Sequence, residues 1–143
     1  MKRKGKFRMI IAVIAGVIIV VICVGGAIGW SFLSKERNEA ENLHIAAIDF
    51  KNLKDGTYTG EYEGGMYKWR ASKVEVTVAS GKVKDIKQIS ASSTGCVNAD
   101  SALLYNRVIE AQSLQVDTVS GATLTSKAYL KAVEDALVKA QKK

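Results

Sequence analysis

Polar and apolar positions divide the chain into three stretches with different periods. From Met9 to Ile28 there are twenty residues with no charge at all, followed by a Trp-Ser-Phe-Leu margin up to Leu33. At about 1.5 Å per residue such a run reaches roughly 30 Å, the thickness of a bilayer's hydrocarbon core. It predicts a membrane-spanning helix over 9–33. "SKERNEAENLHIAA", Ser34 to Ala47, is rich in helix formers and has no Gly or Pro. It predicts a polar continuation of that helix, a helical stalk or linker over 34–52.

From Leu53 onward the pattern changes to period two. "KDGTYTGEYEGG" alternates Thr57, Thr59 and Glu61 against Tyr58, Gly60 and Tyr62 and reads as a short strand. "KWRASKVEVTVASGKVKDIKQIS" reads as a hairpin, with Val74, Val76 and Val78 on one face and Ser80-Gly81 at the turn. Val83, Ile86 and Ile89 follow, and the odd step from Val83 to Ile86 predicts a bulge near Lys84-Asp85. Leu103, Leu104, Val108 and Ile109 fall at helical spacing within Ala99 to Gln112. "SLQVD" suggests one more short strand. Ala128, Val133, Ala136, Leu137 and Ala140 define a last amphipathic helix from Leu124 onward. The expected fold is α+β: a small antiparallel sheet with packed helices over 53–143, preceded by a single N-terminal transmembrane helix. Roughly ninety residues make a modest core, which a cofactor or partner would help stabilise.

Charge changes this picture in one respect. Lys2, Arg3, Lys4, Lys6 and Arg8 hold five of the formal +7 charges, leaving +2 beyond residue 8. A basic tail of residues 1–8 ahead of an apolar run directs the N-terminus to the cytoplasm and the C-terminal domain to the extracytoplasmic side of the cell membrane. It also suits contact with anionic headgroups of the lipid bilayer. The domain itself is nearly neutral, so no nucleic-acid partner is expected. The apolar run is longer than a cleavable signal core, and "GGAIGWS" makes a poor cleavage site. Ile22 before Cys23 does not suit a lipoprotein, and the early glutamate of a pilin-like helix is absent. A retained anchor fits best.

The composition excludes much other chemistry. Cys23 and Cys96 are the only cysteines and fall on different sides of the expected interface, so they should not pair. His44 is the single histidine, on the expected stalk, which leaves no metal cluster and no Ser–His–Asp set. Neither a G-x-x-x-x-G-K-[ST] nor a strand-linked G-x-G-x-x-G phosphate loop is present.

What stands out is "DTVSGATLTS", Asp117 to Ser126, five hydroxyl side chains around a Gly-Ala step at a helix start. Two readings are open. One hydroxyl caps the helix by accepting from a free backbone N–H, a role Thr123 or Ser120 alone would fill. Alternatively, the free amides and partial positive charge of the helix start receive a phosphate-bearing group, either bound or esterified to a hydroxyl. Gly121 and Ala122 leave the backbone open to a bulky ligand, while Asp117 adds negative charge.

This segment resembles the Asp-x-x-Ser/Thr-Gly-Ala-Thr/Ser motif of the FMN-binding domain family, which includes the FMN-carrying subunits of sodium-translocating NADH:quinone reductases and Rnf-type complexes. The resemblance extends over "DGTYTGEYEGG", "KVEVTVASGKVKDIKQI" and "AYLKAVEDAL", about residues 54–140. It implies FMN as cofactor, joined through its phosphate to the Thr123 hydroxyl by a flavin transferase. Asp117 would serve transferase recognition or accept from nearby amides, Ser120 would fix the turn, and Gly121, Ala122 and Ser126 would complete the site. Larger members carry a Glu-Thr-Pro-Gly-like segment after the hairpin. Here "SASSTGCVNADS" replaces it, keeping Thr94-Gly95, which the analogy puts near the ring or phosphate. Met66, Tyr67 and Trp69 either wall one face of a flavin or complete the core or sheet edge. The implied role is an electron carrier rather than an enzyme with its own substrate, passing electrons between a membrane oxidoreductase complex or quinol and another redox partner protein. Two other readings are a non-covalent FMN-binding subunit or sensor, and a structural or ligand-binding ectodomain without flavin.

Overall fold

The computed structural model describes residues 3–92 and 99–141, and the chain divides into two compact units, Met1–Lys35 and Glu36–Lys143. The long helix α1, Arg3–Glu41, contributes to both. In the first unit the aliphatic side chains from Met9 to Val24 are exposed on every face. A helix that is apolar all round needs an apolar surround, and this one is a candidate membrane span by length and composition.

The second unit is α+β, as expected. Strands β1 (Gly56–Tyr62), β2 (Ser72–Ala79) and β3 (Lys82–Ala91) form an antiparallel sheet in the order β1-β2-β3, and helices α2 (Ala99–Ala111) and α3 (Thr123–Ala140) pack on it. Alternation in β2 is strict. Ser72, Val74, Val76 and Val78 are buried, while Lys73, Glu75 and Thr77 face the other way. The hairpin turns at Ser80-Gly81 with φ of 55° and 69°, the double positive φ of a type I′ turn. Gly81 N–H donates to Asp55 Oδ1 at 2.8 Å and holds that turn.

The expected bulge is present. Val78 pairs with Val83 and Thr77 with Asp85, so Lys84 is the extra residue and both Val83 and Ile86 turn inward. A second register shift, between Lys73 and Val74, leaves Ile89 unpaired and 53% exposed instead of continuing the buried face. "SLQVD" is not a strand. Ser113 Oγ accepts from the Gln115 amide, and the Gln115 side chain donates to Ile45 O, which commits the segment to an extended connector.

The helical stalk ends sooner than its composition suggests. Asn42 turns both its backbone and side-chain N–H back onto Asn38 O, and 42–52 has no helix. The reason lies in tertiary contacts. Lys127 Nζ donates to Glu41 O, Lys131 Nζ to His44 O, and the Ala46 amide donates to Glu134 Oε2. These bonds take up backbone groups that a continuing helix would have used. Leu53, 1% exposed, bridges to Gln141, and Lys54 N–H donates to Ala140 O, closing the ends of the fold together.

The closest approach in the core is between α3 and β1. A Cβ on Gly60 would collide with Ala132 O, Ala136 N and Ala136 Cβ. Ala132 and Ala136 are themselves fully buried, so the small side chains lie on the helix and the absent one on the strand. Lys139 Nζ, donating to Asp135 Oδ2 (2.7 Å) and Thr59 O (2.9 Å), and the Glu61 amide, donating to Asp135, fasten the same two elements. Burial alone would raise the Asp135 pKa, but these bonds outweigh it and lower it.

Two outcomes are expected. Gly60→Ala should lower the urea midpoint of the detergent-solubilised chain with an unchanged slope, a loss of about 3 kcal/mol, because backbone rather than a flexible side chain would have to yield. Asp135→Asn should reduce stability at neutral pH. A carboxylate with a lowered folded pKa stabilises above its unfolded pKa and loses that contribution as pH falls through the folded value, so the parent and variant curves should converge once the pH is below the ordinary carboxylate range.

Candidate functional site

The "DTVSGATLTS" segment forms the approach to α3 and its first turn. Val119-Ser120-Gly121-Ala122 is a reverse turn closed by Ala122 N–H to Val119 O at 3.0 Å. Gly121 has φ +79°, the value a type II turn requires at its third position. No atom comes within 4 Å of where a Gly121 Cβ would stand, so glycine is demanded here by backbone conformation and the space beside it is open.

No hydroxyl caps the helix. The N-cap residue is Ala122, without a side-chain hydrogen bond. This corrects the capping expectation for Thr123 and Ser120. The first helical bond runs from Ser126 N–H to Ala122 O, so the amides of Thr123, Leu124 and Thr125 precede it without a partner among the described residues. Such orphan amides carry the positive end of the helix dipole. Thr123 is the first helical residue and is exposed, as are Ser120 and Gly121. Ser126 is 3% exposed, and its Oγ accepts from the Val119 amide at 3.1 Å. It therefore holds the incoming turn from inside the helix and does not cap it.

A residue absent from the sequence reading completes the arrangement. Arg107 of α2 donates through Nη1 to Asp117 O at 2.7 Å and to Thr118 O at 3.4 Å. A lone arginine on a half-exposed helix face carries no motif signal, because its partners are backbone carbonyls. Asp117 is exposed and uses its carbonyl here, and Arg107, Gln115 and Asp117 line an open hollow of about 370 Å³.

Below the helix start lies a set of buried polar groups. Ser126 and Tyr129 sit three residues apart on one face of α3, and Tyr129 packs on Tyr105 of α2 with ring centroids 6.2 Å apart. Burial, with Tyr129 beside it, pushes the Tyr105 phenol far above its usual range. Ser72 faces that phenol and partly offsets the shift, yet neither hydroxyl completes a hydrogen bond. The Gln88 amide, on β3 opposite Val74, is also buried, with no partner among the described residues at either its oxygen or its nitrogen. An unpaired buried polar group costs about 1–3 kcal/mol. Four such atoms, from Ser72, Tyr105 and Gln88, are buried in this way, and each calls for a physical explanation.

Thr94, Gly95 and Cys96 lie outside the described residues. Met66, Tyr67 and Trp69 do not complete the core. They lie on the β1–β2 loop, with Met66 67% and Trp69 47% exposed. Among the described residues no group of His, Cys, Asp and Glu is placed to hold a metal.

Comparison with known proteins gives a consistent picture. The FMN-binding domain family matches residues 68–138, from the β1–β2 loop to the last turns of α3. The crystal structure of the CPE2226 protein from Clostridium perfringens is similar to this chain, at 26% identity and a TM-score of 0.50, over 62% of this chain and 88% of that one. No curated protein matches.

Two substitutions separate the hydroxyls by role. Ser126→Ala should cost about 1–2 kcal/mol in urea unfolding, since it leaves the Val119 amide without its acceptor. Thr123→Val should stay within about 0.5 kcal/mol of the parent, because an exposed side chain that caps nothing is being replaced.

Proposed function

The chain belongs to the FMN-binding domain family, with FMN as its cofactor, and from that premise we propose that it is a membrane-anchored extracytoplasmic electron carrier holding FMN through a phosphoester to Thr123. The observation that carries this reading is the uncapped start of α3, where an exposed threonine hydroxyl stands beside three amides without partners. A phosphodiester on Thr123 would keep one negative charge at the positive end of the helix dipole, an arrangement favoured by about 0.3–1 kcal/mol at an exposed site. Gly121 leaves the approach open.

The residues present suit the rest of the cofactor. The pyrimidine edge of a flavin alternates hydrogen-bond donors and acceptors, and the Gln88 amide with the Ser72 and Tyr105 hydroxyls offers both kinds on the inner face. When bound, the isoalloxazine ring supplies one- and two-electron redox chemistry. The protein's own part is to position and shield. Ser126 and Arg107 hold the backbone on either side of the attachment turn, and Tyr105 stays a neutral phenol across the physiological range. A covalent link suits a cofactor outside the cytoplasm, where a lost flavin is not replenished.

In this reading a flavin transferase installs the cofactor, with Asp117 exposed for its recognition, and electrons pass between a membrane reductase or quinol and a second redox protein. The basic residues ahead of the apolar run support a cytoplasmic N-terminus.

Intact mass tests the proposal. The chain co-expressed with a flavin transferase should gain the mass of FMN less one water and keep its yellow colour through denaturation. Thr123→Val should show neither, while folding as the parent does. A parent that stays unmodified, or releases its flavin on unfolding, overturns the covalent reading. Arg107→Gln should lower the modified fraction severalfold with a smaller effect on the melting temperature, since it loosens the turn presented to the transferase and leaves the core intact.

A further inference from the structure

Three of the four residues Met66-Tyr67-Lys68-Trp69 are large and apolar or aromatic, in a loop where burial would be expected. Met66 and Trp69 are exposed, Tyr67 is half-buried against the Trp69 ring at 5.3 Å, and Lys68 is exposed with φ +57°. Other exposed apolar residues of this unit, such as Ile89, Leu103 and Val138, are dispersed along the chain. Scattered ones need no explanation, but a contiguous group does.

The loop is also held firmly to one place. The Met66 amide donates to Glu39 Oε2 at 3.3 Å. Arg70 Nη1 pairs with Glu36 Oε1 at 3.0 Å, and the Glu36 side chain is only 4% exposed. Gly65, at φ +72°, has the Glu39 carboxylate 3.2 Å from its missing Cβ, so a side chain there would press on that carboxylate from a strained backbone. Both acids belong to α1, just past the apolar run.

That attachment limits how far the loop can stand from a bilayer. Glu36 follows Leu33 by three residues, which span at most about 11 Å in any conformation. Each headgroup layer is about 5–8 Å thick. Arg70, paired with Glu36, is thus tethered near the headgroup region, set off from Leu33 by those three residues and the length of the two paired side chains, and so is the loop ending on it. Aromatic rings with a neighbouring lysine are the side chains that favour this depth, where the apolar body meets acyl chain and the polar end meets water.

We propose that the Met66–Trp69 loop is a second membrane contact, inserting its Met and aromatic side chains into the interfacial layer beside the point where α1 leaves the bilayer. It rests on the anchored reading of α1. A single helix leaves the domain free to tilt about the membrane. A second contact fixes one end of the domain at the lipid surface and limits the directions in which the attachment turn can face.

The chain has only two tryptophans, Trp30 and Trp69, which makes the test direct. The full-length chain, expressed without flavin, is placed in phosphatidylcholine–phosphatidylglycerol nanodiscs carrying bromine near the headgroup or near the acyl end. In Trp30→Phe, Trp69 emission should be blue-shifted, shielded from aqueous iodide and quenched more by shallow than by deep bromine. In Trp69→Phe, bromine quenching of Trp30 reports on the anchor separately. If Trp30 is quenched while Trp69 remains open to iodide and indifferent to bromine, the loop proposal fails and the anchor stands. If Trp30 also escapes bromine, the anchor is wrong and the proposal falls with it. A Trp69 exposed in nanodiscs but shielded in native membranes would assign the loop to a protein partner and overturn the lipid contact.

Discussion

The fold depends on how closely α3 approaches the backbone of β1. A three-stranded sheet has one face to bury, and the helix that covers it must reach the strand backbone if no void is to remain. Gly60 removes the side chain that would hold the helix away, and Ala132 and Ala136 remove theirs from the opposite side. Ten of the eighteen residues of α3 are buried as a result. The helix therefore draws its stability from its packed face, as most protein helices do.

That source of stability explains why the start of α3 can break a local rule. A hydroxyl or Asp cap is typically worth about 1 kcal/mol to a helix, and five hydroxyls lie within the segment. None of them caps it, and the N-cap position belongs to Ala122. The turn is secured from elsewhere: from below by Ser126 on the Val119 amide, and from α2 by Arg107 on two carbonyls. Free amides and an exposed threonine hydroxyl are left together at the helix start. Departures from local consistency tend to occur where function needs them, and this one falls at Thr123, the residue proposed to carry the flavin.

Elements governed by local period were legible in the sequence. The β2 alternation and the Ser80-Gly81 turn gave the hairpin, and the odd Val83–Ile86 spacing gave the bulge at Lys84. Helices α2 and α3 followed from their apolar spacing. What escaped depends on partners distant in the chain. Ile89 looked like one more core residue until a second bulge turned it outward. The Ser113–Asp117 segment had strand-like composition but no strand to pair with, and the stalk stopped at Glu41 because α3 claimed the carbonyls beyond it. Arg107 carried no signal, since nothing in its neighbours announces that it binds the backbone ten residues ahead. The hydroxyl cluster itself was visible, but assigning roles within it required φ, ψ and burial.

The same close packing bears on how the flavin linkage proposed for Thr123 would be supported. The attachment turn sits at one end of α3, and that helix is tied along its length: Ser126 to Val119 at its start, Lys131 and Glu134 to the His44–Ala46 segment in its middle, Lys139 and Asp135 to β1 near its end. The segment it holds in the middle leads directly from the last turn of α1. The attachment residue and the emergent end of α1 thus belong to one continuously bonded unit with no unsupported linker between them. In electron transfer, where rate falls steeply with distance, a flavin on a loose tether would spend most of its time out of range of its partners. If Thr123 carries the flavin as proposed, its point of attachment is held by the same contacts that close the core.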